Sequence, residues 1–375
     1  MNDAAVVGRV LREYHARGID PAAFRRVGGS VQAATVTYLV RPDGSRPWLV
    51  RACREDAPVP APMSGSGAMT MRDWLLSRAR TLDCLEEAVY PAPRVIRTRS
   101  GDPVGKDGIW LTLATTFVEG PVLRPSLEQL RMLGAALGRL HAVEVGSAPG
   151  RGVAGAPGRG VAGGPGRGVA GAPGRARWYP EQAIPATLAR LDAVEALVPD
   201  RWQDLYAQLC RTARAVRRGL GGLPRGVVHG DAWPGNAVQS GPDAVTLIGW
   251  ETGGLGLPVL DLGNCLIESL LDARPPGAGP GAWLAEPDEE RVAAVAGGYA
   301  RERLLCPAER ALLAEAVRFA SCYTGAIHLY QALAEGLSGA SMDMRMERLR
   351  NRVTVSEAVA RLAAPHLAGG AETVR

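Results

Sequence analysis

The 375-residue chain is nearly without lysine. Lys106 is the single one, so the basic side of its balance, 43 basic against 38 acidic residues for a net charge of +5, is otherwise arginine. Those arginines form no basic stripe with interleaved aromatics, so no nucleic-acid partner is expected. Cysteine is scarce as well. The six, Cys53, Cys84, Cys210, Cys265, Cys306 and Cys322, are scattered, and no pair has metal-ligand or redox spacing. They read as small apolar residues in a reducing cytosol. No apolar run approaches the length that crosses a bilayer, and Met1 to Gly18 carries charges throughout, unlike a secretory leader. A cytoplasmic protein with no membrane partner is the expectation.

What is present suffices for a sizeable core: 46% of residues are hydrophobic and 22% charged. The length suits two or three units, or one enzyme built from two lobes. Residues 5–17 have the spacing of an amphipathic helix. Ala22 to Val27, Val31 to Val40 and Arg46 to Cys53 read as strands, with Pro42-Asp43-Gly44 as the turn between the last two. A helix is expected from Arg72 to Ala88, stopped by Pro91-Ala92-Pro93, and a strand over Ile109 to Val118. The next helix runs to Val143, with Ser126 as N-cap and Gln129 in capping-box position. Glu181 to Leu220 is mostly helical, Val227 to Val238 and Ala244 to Trp250 are short strands around a loop, and Asp288 to Ala363 is helical.

Residues 148–175 interrupt this layout. They repeat Ala/Gly-Pro-Gly-Arg-Gly-Val-Ala-Gly with a period of eight, a composition that buries no core and has no collagen triplet. A disordered surface insert is expected there.

The segment that carries chemistry is His229-Gly230-Asp231-Ala232-Trp233-Pro234-Gly235-Asn236. Protein kinases have a catalytic loop of the form H-x-D-x-x-x-x-N, in which the Asp accepts or orients the acceptor hydroxyl and the Asn holds Mg²⁺. Asp231 and Asn236 have that spacing. Phosphoryl transfer wants one carboxylate beside the attacking oxygen and a second oxygen ligand on the metal, and a short loop between strands can point both into one cleft.

The loop, taken with Leu247-Ile248-Gly249-Trp250-Glu251 and Gly254 to Leu262, resembles the ordered motifs of the aminoglycoside phosphotransferases and their choline, homoserine and fructosamine kinase relatives. Leu140-His141, Phe117 to Gly120, Pro91 to Val95 and Trp48 to Arg51 extend the resemblance over most of the chain outside the insert. It implies an α+β, protein-kinase-like two-lobed fold: a small β-rich N-lobe with the hinge over residues 1–120, and a larger, mostly helical C-lobe over residues 121–375. It implies ATP and Mg²⁺ as cofactors, Asp231 as catalytic residue, and His229 and Asp261 as structural supports of the loop. Arg51 stands where the family grips phosphate with lysine or arginine. Gly28, Gly29 and Ser30 could form the loop over the phosphates, and Thr112 to Val118 the hinge. Arg78 falls near the place of an expected acidic residue. Gly249 and Leu257 stand where the family has aspartates, and the first of those bridges Mg²⁺ to the phosphates. Glu251, two residues on, is the candidate replacement ligand.

The implied activity is phosphoryl transfer to a hydroxyl of a small molecule, or of Ser/Thr in a biosynthetic precursor peptide, slowed or altered by Gly249. The alternative is a pseudokinase scaffold in a biosynthetic complex. Glu286, Asp288, Glu289 and Glu290 offer acid for a polycationic acceptor, but Pro287-Asp288-Glu289-Glu290 ahead of an apolar run is equally a helix start.

Overall fold

The computed structural model describes residues 3–14, 24–30, 35–57, 59, 69–124, 126–144, 183–271, 287–334 and 340–368. The repeat insert lies outside them. So do Glu286 and the tip between the first two strands.

The N-terminal part is an antiparallel sheet between two helices. Helix α1 (Asp3–Val10) precedes β1 (Arg25–Ser30), β2 (Thr35–Val40), β3 (Trp48–Arg54), helix α2 (Met71–Glu87), β4 (Val95–Ile96), β5 (Val104–Asp107) and β6 (Trp110–Thr116). The strand order is β1-β2-β3-β6-β4, with β5 also on β6. Alternation along the strands sends residues to opposite faces. Val50, Ala52 and Ala114 pack with Val7, Val10, Leu11 and Tyr14 around α1. Cys53, Leu111 and Leu113 pack with Met71, Trp74 and Leu75 of α2. Arg51 is on β3 opposite Leu113, on the α2 side.

Helix α2 starts at a full capping box: Thr70 Oγ1 accepts from the Asp73 N–H at 3.1 Å and Asp73 Oδ2 accepts from the Thr70 N–H at 3.3 Å. Its C-terminus closes by a bond from the Tyr90 N–H to the Leu85 carbonyl at 2.9 Å. The residue between, Val89, takes the left-handed conformation that glycine usually supplies there. Gly28, Gly29 and Ser30 lie within β1, paired with Thr37, Val36 and Thr35, rather than in a turn. Lys106 lies in β5 and pairs with Glu55 at 2.6 Å.

β6 ends at Thr116, so the connection to the second part begins at Phe117. Its N–H donates to the Pro47 carbonyl at 2.9 Å, and Pro121 accepts from the Gln239 N–H at 3.0 Å.

The larger part is helical: α3 (Leu127–His141), α4 (Ala183–Val194), α5 (Gln203–Arg218), then β7 (Gly226–Val228), β8 (Ala237–Gly241), β9 (Ala244–Leu247) and β10 (Gly254–Gly256), then α6 (Pro258–Leu271), α7 (Glu289–Glu302), α8 (Pro307–Ala334) and α9 (Ala340–Leu367). Ser126 caps α3 through the Gln129 N–H at 3.3 Å, but the Gln129 side chain turns to the Arg124 N–H at 2.7 Å, so the box is half closed. Asp288 caps α7 through the Arg291 N–H at 3.2 Å, so the acidic run from Pro287 is a helix start. Helices α3 and α7 cross at backbone contact: a Cβ on Gly134 would lie 2.1 Å from the Val295 carbonyl oxygen. That closeness sets His141 of α3 against Tyr299 of α7, ring centroids 5.5 Å apart.

Candidate active site

The segment between β7 and β8 is held from below by one buried carboxylate. Asp261, in the first turn of α6, accepts from the His229 N–H at 2.6 Å and from the Gly230 N–H at 2.9 Å. Asp261 is itself anchored. His141 Nε2 donates to its Oδ2 at 3.0 Å, Tyr299 Oη donates to His141 Nδ1 at 2.9 Å, and Arg303 donates to Tyr299 Oη at 2.9 Å. Burial pushes the Asp261 carboxyl up, but His141 and the loop N–H groups outweigh it and hold it below the usual range. Burial, helped by the Arg303 charge, pulls His141 down, against its bond to Asp261. The chain of donors thus runs in one direction, with a neutral imidazole in the middle.

His229 is a strut in the same sense. Its Nε2–H donates to the Ile248 carbonyl at 2.7 Å and its Nδ1 accepts from the Asp231 N–H at 3.3 Å, which fixes the neutral tautomer. Its ring stands edge-on to Trp250 at 4.6 Å. Neither nitrogen is left to act as a base.

Asp231 and Asn236 meet across the loop. Asn236 Nδ2 donates to Asp231 Oδ2 at 2.7 Å and to the Asp231 carbonyl at 2.9 Å. Burial raises the Asp231 carboxyl to about 7, helped by the charges of Glu268, Glu251 and Asp261 and opposed by the Asn236 bond. A carboxyl poised near neutrality can both take and return a proton at physiological pH. Glu268 of α6 is ion-paired with Arg352 of α9, whose guanidinium also reaches Thr324 Oγ1 of α8 at 3.4 Å. The floor beside Asp231 therefore carries charges of both signs.

The second cluster spans the two parts of the fold. The Glu251 carboxylate, expected at a metal, is ion-paired with Arg51 of β3 and with Arg78 of α2, the latter at 3.0 Å. Both guanidiniums lie over the Trp74 ring, Arg78 at 4.6 Å and Arg51 at 5.9 Å from its centroid. Burial raises Glu251, but Arg51 and then Arg78 bring it down to about 2. Arg78 is pulled down to about 10 by its burial and by Arg51, against the pull of Glu251. The sequence shows no acid on α2 to serve the strand cation; the acid comes instead from the segment after β9, and α2 supplies a second cation. Arg78 was legible only as an anomaly, because nothing local marks the partner.

Gly249 has φ of 75°, the left-handed region that favours glycine. A Cβ there would lie 2.9 Å from Asn236 Oδ1. The position offers no ligand atom, and Glu251 is engaged by two cations. Among the described residues no group of three or more His, Cys, Asp and Glu side chains gathers as a metal site. Asn236 remains, with one amide oxygen. This donor set does not fit a divalent cation, which wants several oxygens with charged carboxylates among them.

A separate cavity of about 510 Å³ borders the connection, between Arg46, Arg94, Phe117, Glu119, Ser240 and Thr246.

Comparison with known proteins agrees with this layout. The model of the phosphotransferase enzyme family matches residues 30–305. Among solved structures, an amicoumacin kinase bound to AMP-PNP, Ca²⁺ and its ligand aligns with a TM-score of 0.65 at 14% identity, over 94% of this chain and 93% of that one. Spectinomycin phosphotransferase with ADP and spectinomycin aligns at 0.59 and 11% identity, over 97% and 98%. A microcompartment-associated aminopropanol kinase aligns at 0.55 and 18% identity, over 96% and 99%. No curated protein matches the chain. At these identities the solved structures establish the protein-kinase-like fold.

Proposed function

The chain belongs to the phosphotransferase enzyme family, and from that premise we propose that it transfers the terminal phosphoryl group of ATP to a hydroxyl of a small molecule. The observation that carries this reading is Asp231, a carboxyl poised near pH 7 on a loop whose backbone is clamped by Asp261. In the proposed step the acceptor oxygen attacks the γ-phosphorus, the bond to the ADP oxygen breaks, and the hydroxyl proton passes to Asp231. Positioning and charge supply most of the rate in such transfers. Asn236 holds the Asp231 oxygen still, and Arg51 is the strand cation for the phosphates, its geometry bidentate where lysine's is a point charge.

ATP as donor is supported by the AMP-PNP and ADP complexes of the structural neighbours. Asn236 and Glu251, expected as Mg²⁺ ligands, do not fit that role, since Glu251 is engaged by Arg51 and Arg78 and Asn236 offers a single amide oxygen. A small hydroxyl compound is favoured over a precursor peptide because the neighbours are kinases of compounds of that size. A polycationic acceptor is disfavoured. Glu268 beside Asp231 is ion-paired with Arg352, so the floor carries both signs of charge and suits a neutral or zwitterionic molecule. Six cysteines without a disulfide and the need for ATP suit the cytoplasm.

The test is ADP release with ATP across a panel of amino alcohols, hydroxy amino acids, aminoglycosides and Ser/Thr peptides, with Asp231→Asn as the control. Turnover that depends on Asp231 supports the transferase. A blank panel alongside retained nucleotide binding favours the second reading, a pseudokinase scaffold, for which Gly249 is the specific observation.

A further inference from the structure

The cleft is poor in metal ligands and rich in cations aimed at one point. Arg51 and Arg78 come from different elements, β3 and α2, and converge on a single carboxylate, Glu251. Two guanidiniums share one anion, so the cluster keeps a net positive charge. Holding two like charges together in a partly buried place is unfavourable unless an anion compensates them. Trp74 holds both planes in position, which removes side-chain freedom before any ligand arrives. The Arg78 side chain is 9% exposed. Its Nε and Nη1 are buried with no hydrogen-bond partner among the described residues. Buried donors without acceptors are costly, and a phosphate oxygen is the acceptor a guanidinium fork matches best.

Resting on the phosphotransferase reading, we infer that Arg51 and Arg78 form a guanidinium clamp that binds the nucleotide phosphates without a divalent cation, with Glu251 as a placeholder anion that the phosphates displace. The clamp supplies as fixed protein charge what a bound metal ion supplies elsewhere. Glu251 then has a role opposite to that of a ligand: it competes with the nucleotide. Its carboxylate prevents the two cations from repelling each other while the cleft is empty, and it remains as counterion to whichever arginine the phosphates leave.

The experiment is calorimetric titration of ATP into the full-length protein, once with excess EDTA and once with saturating Mg²⁺, repeated with Arg78→Met and Glu251→Gln after a circular-dichroism check of folding. The clamp predicts affinities in EDTA and in Mg²⁺ that agree within about fivefold. It also predicts a loss of at least about tenfold in EDTA for Arg78→Met and a gain in EDTA for Glu251→Gln. Binding by the native protein that Mg²⁺ tightens by more than about fivefold overturns the clamp but leaves the phosphotransferase reading standing. Metal-free binding unaffected by Arg78→Met, or weakened by Glu251→Gln, also overturns it. No nucleotide binding in either buffer removes both the clamp and the phosphotransferase reading. The native-protein comparison stands even where a variant fails to fold.

Discussion

Arg78 and Glu251 are 173 residues apart in the chain, and their side chains meet at 3.0 Å across the junction of the two parts of the fold. With Arg51 on the same carboxylate, this contact ties α2 and β3 to the segment that follows β9. It brings the place where phosphates would be held within electrostatic reach of Asp231.

Replacing Glu251 by Gln leaves a buried guanidinium without its counterion. The cost is expected to be about 2 kcal/mol, below the ~3–5 kcal/mol for breaking a fully buried pair because Glu251 is partly exposed. The pH dependence follows from the depressed carboxyl. Its ordinary value is 4.5 and its folded value about 2, so the stabilisation is complete above about 4.5 and is lost as pH falls toward 2. Urea unfolding from pH 6 to pH 3 should show this loss in the native protein and a shallower one in Glu251→Gln. Parallel curves for the two proteins would contradict the assignment.

Asp231 has the opposite sign. Its folded carboxyl titrates near 7 against an ordinary 3.8. Its ionisation therefore destabilises the fold progressively as pH rises from about 4 to 7. The proton-accepting form dominates only above about 7. Turnover is expected to rise through pH 7 and level off beyond it. Asp231→Asn should lower kcat by about 10²–10⁴ while making the protein more stable at pH 8. Removing the Glu268 charge by Glu268→Gln should move the rate profile to lower pH. A profile flat from pH 5.5 to pH 8.5 would exclude Asp231 as the base.

Introducing an aspartate at 249 is not a neutral change. The left-handed backbone and the approach to Asn236 Oδ1 predict that Gly249→Asp costs about 1–2 kcal/mol of stability without metal. It should also disturb the Asn236–Asp231 bond. Gly249→Ala should show the same backbone cost without the charge. Thermal unfolding of both variants with and without Mg²⁺ separates the contributions: recovery by Mg²⁺ in the aspartate variant alone marks the introduced carboxylate as a metal ligand. A Gly249→Ala protein as stable as the native one would mean that the backbone there relaxes freely.

Tyr299→Phe removes the hydroxyl that accepts from Arg303 and donates to His141. A buried imidazole nitrogen and a guanidinium each lose a partner, at a cost of about 1–3 kcal/mol. Because the same chain of bonds positions Asp261 under the loop from His229 to Asn236, the proposed transfer predicts that kcat falls while KM for ATP stays near its native value. A variant with native stability and native kcat would show that α3 and α7 hold His141 by packing alone.

At Val89 the prediction is a gain. A β-branched residue, 81% exposed, sits at φ of 57° after α2. Val89→Gly should stabilise the protein by about 1 kcal/mol in urea unfolding, since no buried contact is lost. Destabilisation instead would point to a role for the exposed side chain.

Much of the architecture was legible residue by residue. The period of α2, the stop before Pro91, the Ser126 cap and the helix start at Asp288 follow from neighbours within a turn or two of each other. Where the structure departs from the local pattern, the reason is tertiary. Gly28, Gly29 and Ser30 carry turn chemistry but are drawn into β1 by pairing with β2. The strand expected over Ile109 to Val118 ends at Thr116, where pairing with β3 and β4 stops, so of the stretch over 112–118 expected as the hinge only its last two residues lie outside the sheet.

The loop from His229 to Asn236 could be recognised from the chain alone because eight consecutive residues contain its whole pattern. Gly249 was legible only through the resemblance, which implies an aspartate at that position; the residue itself is plain in the chain. The use of Glu251 was not legible. Its neighbours in sequence offer it to a metal; the packing of α2 against the sheet, through Trp74, Leu75 and Leu111, brings Arg78 to it from 173 residues away. Spacing along a strand or loop determines which groups share a short segment. Which charge faces which, and so whether a carboxylate coordinates a cation or neutralises an arginine, is decided only when two distant elements are pressed together by the burial of their apolar sides.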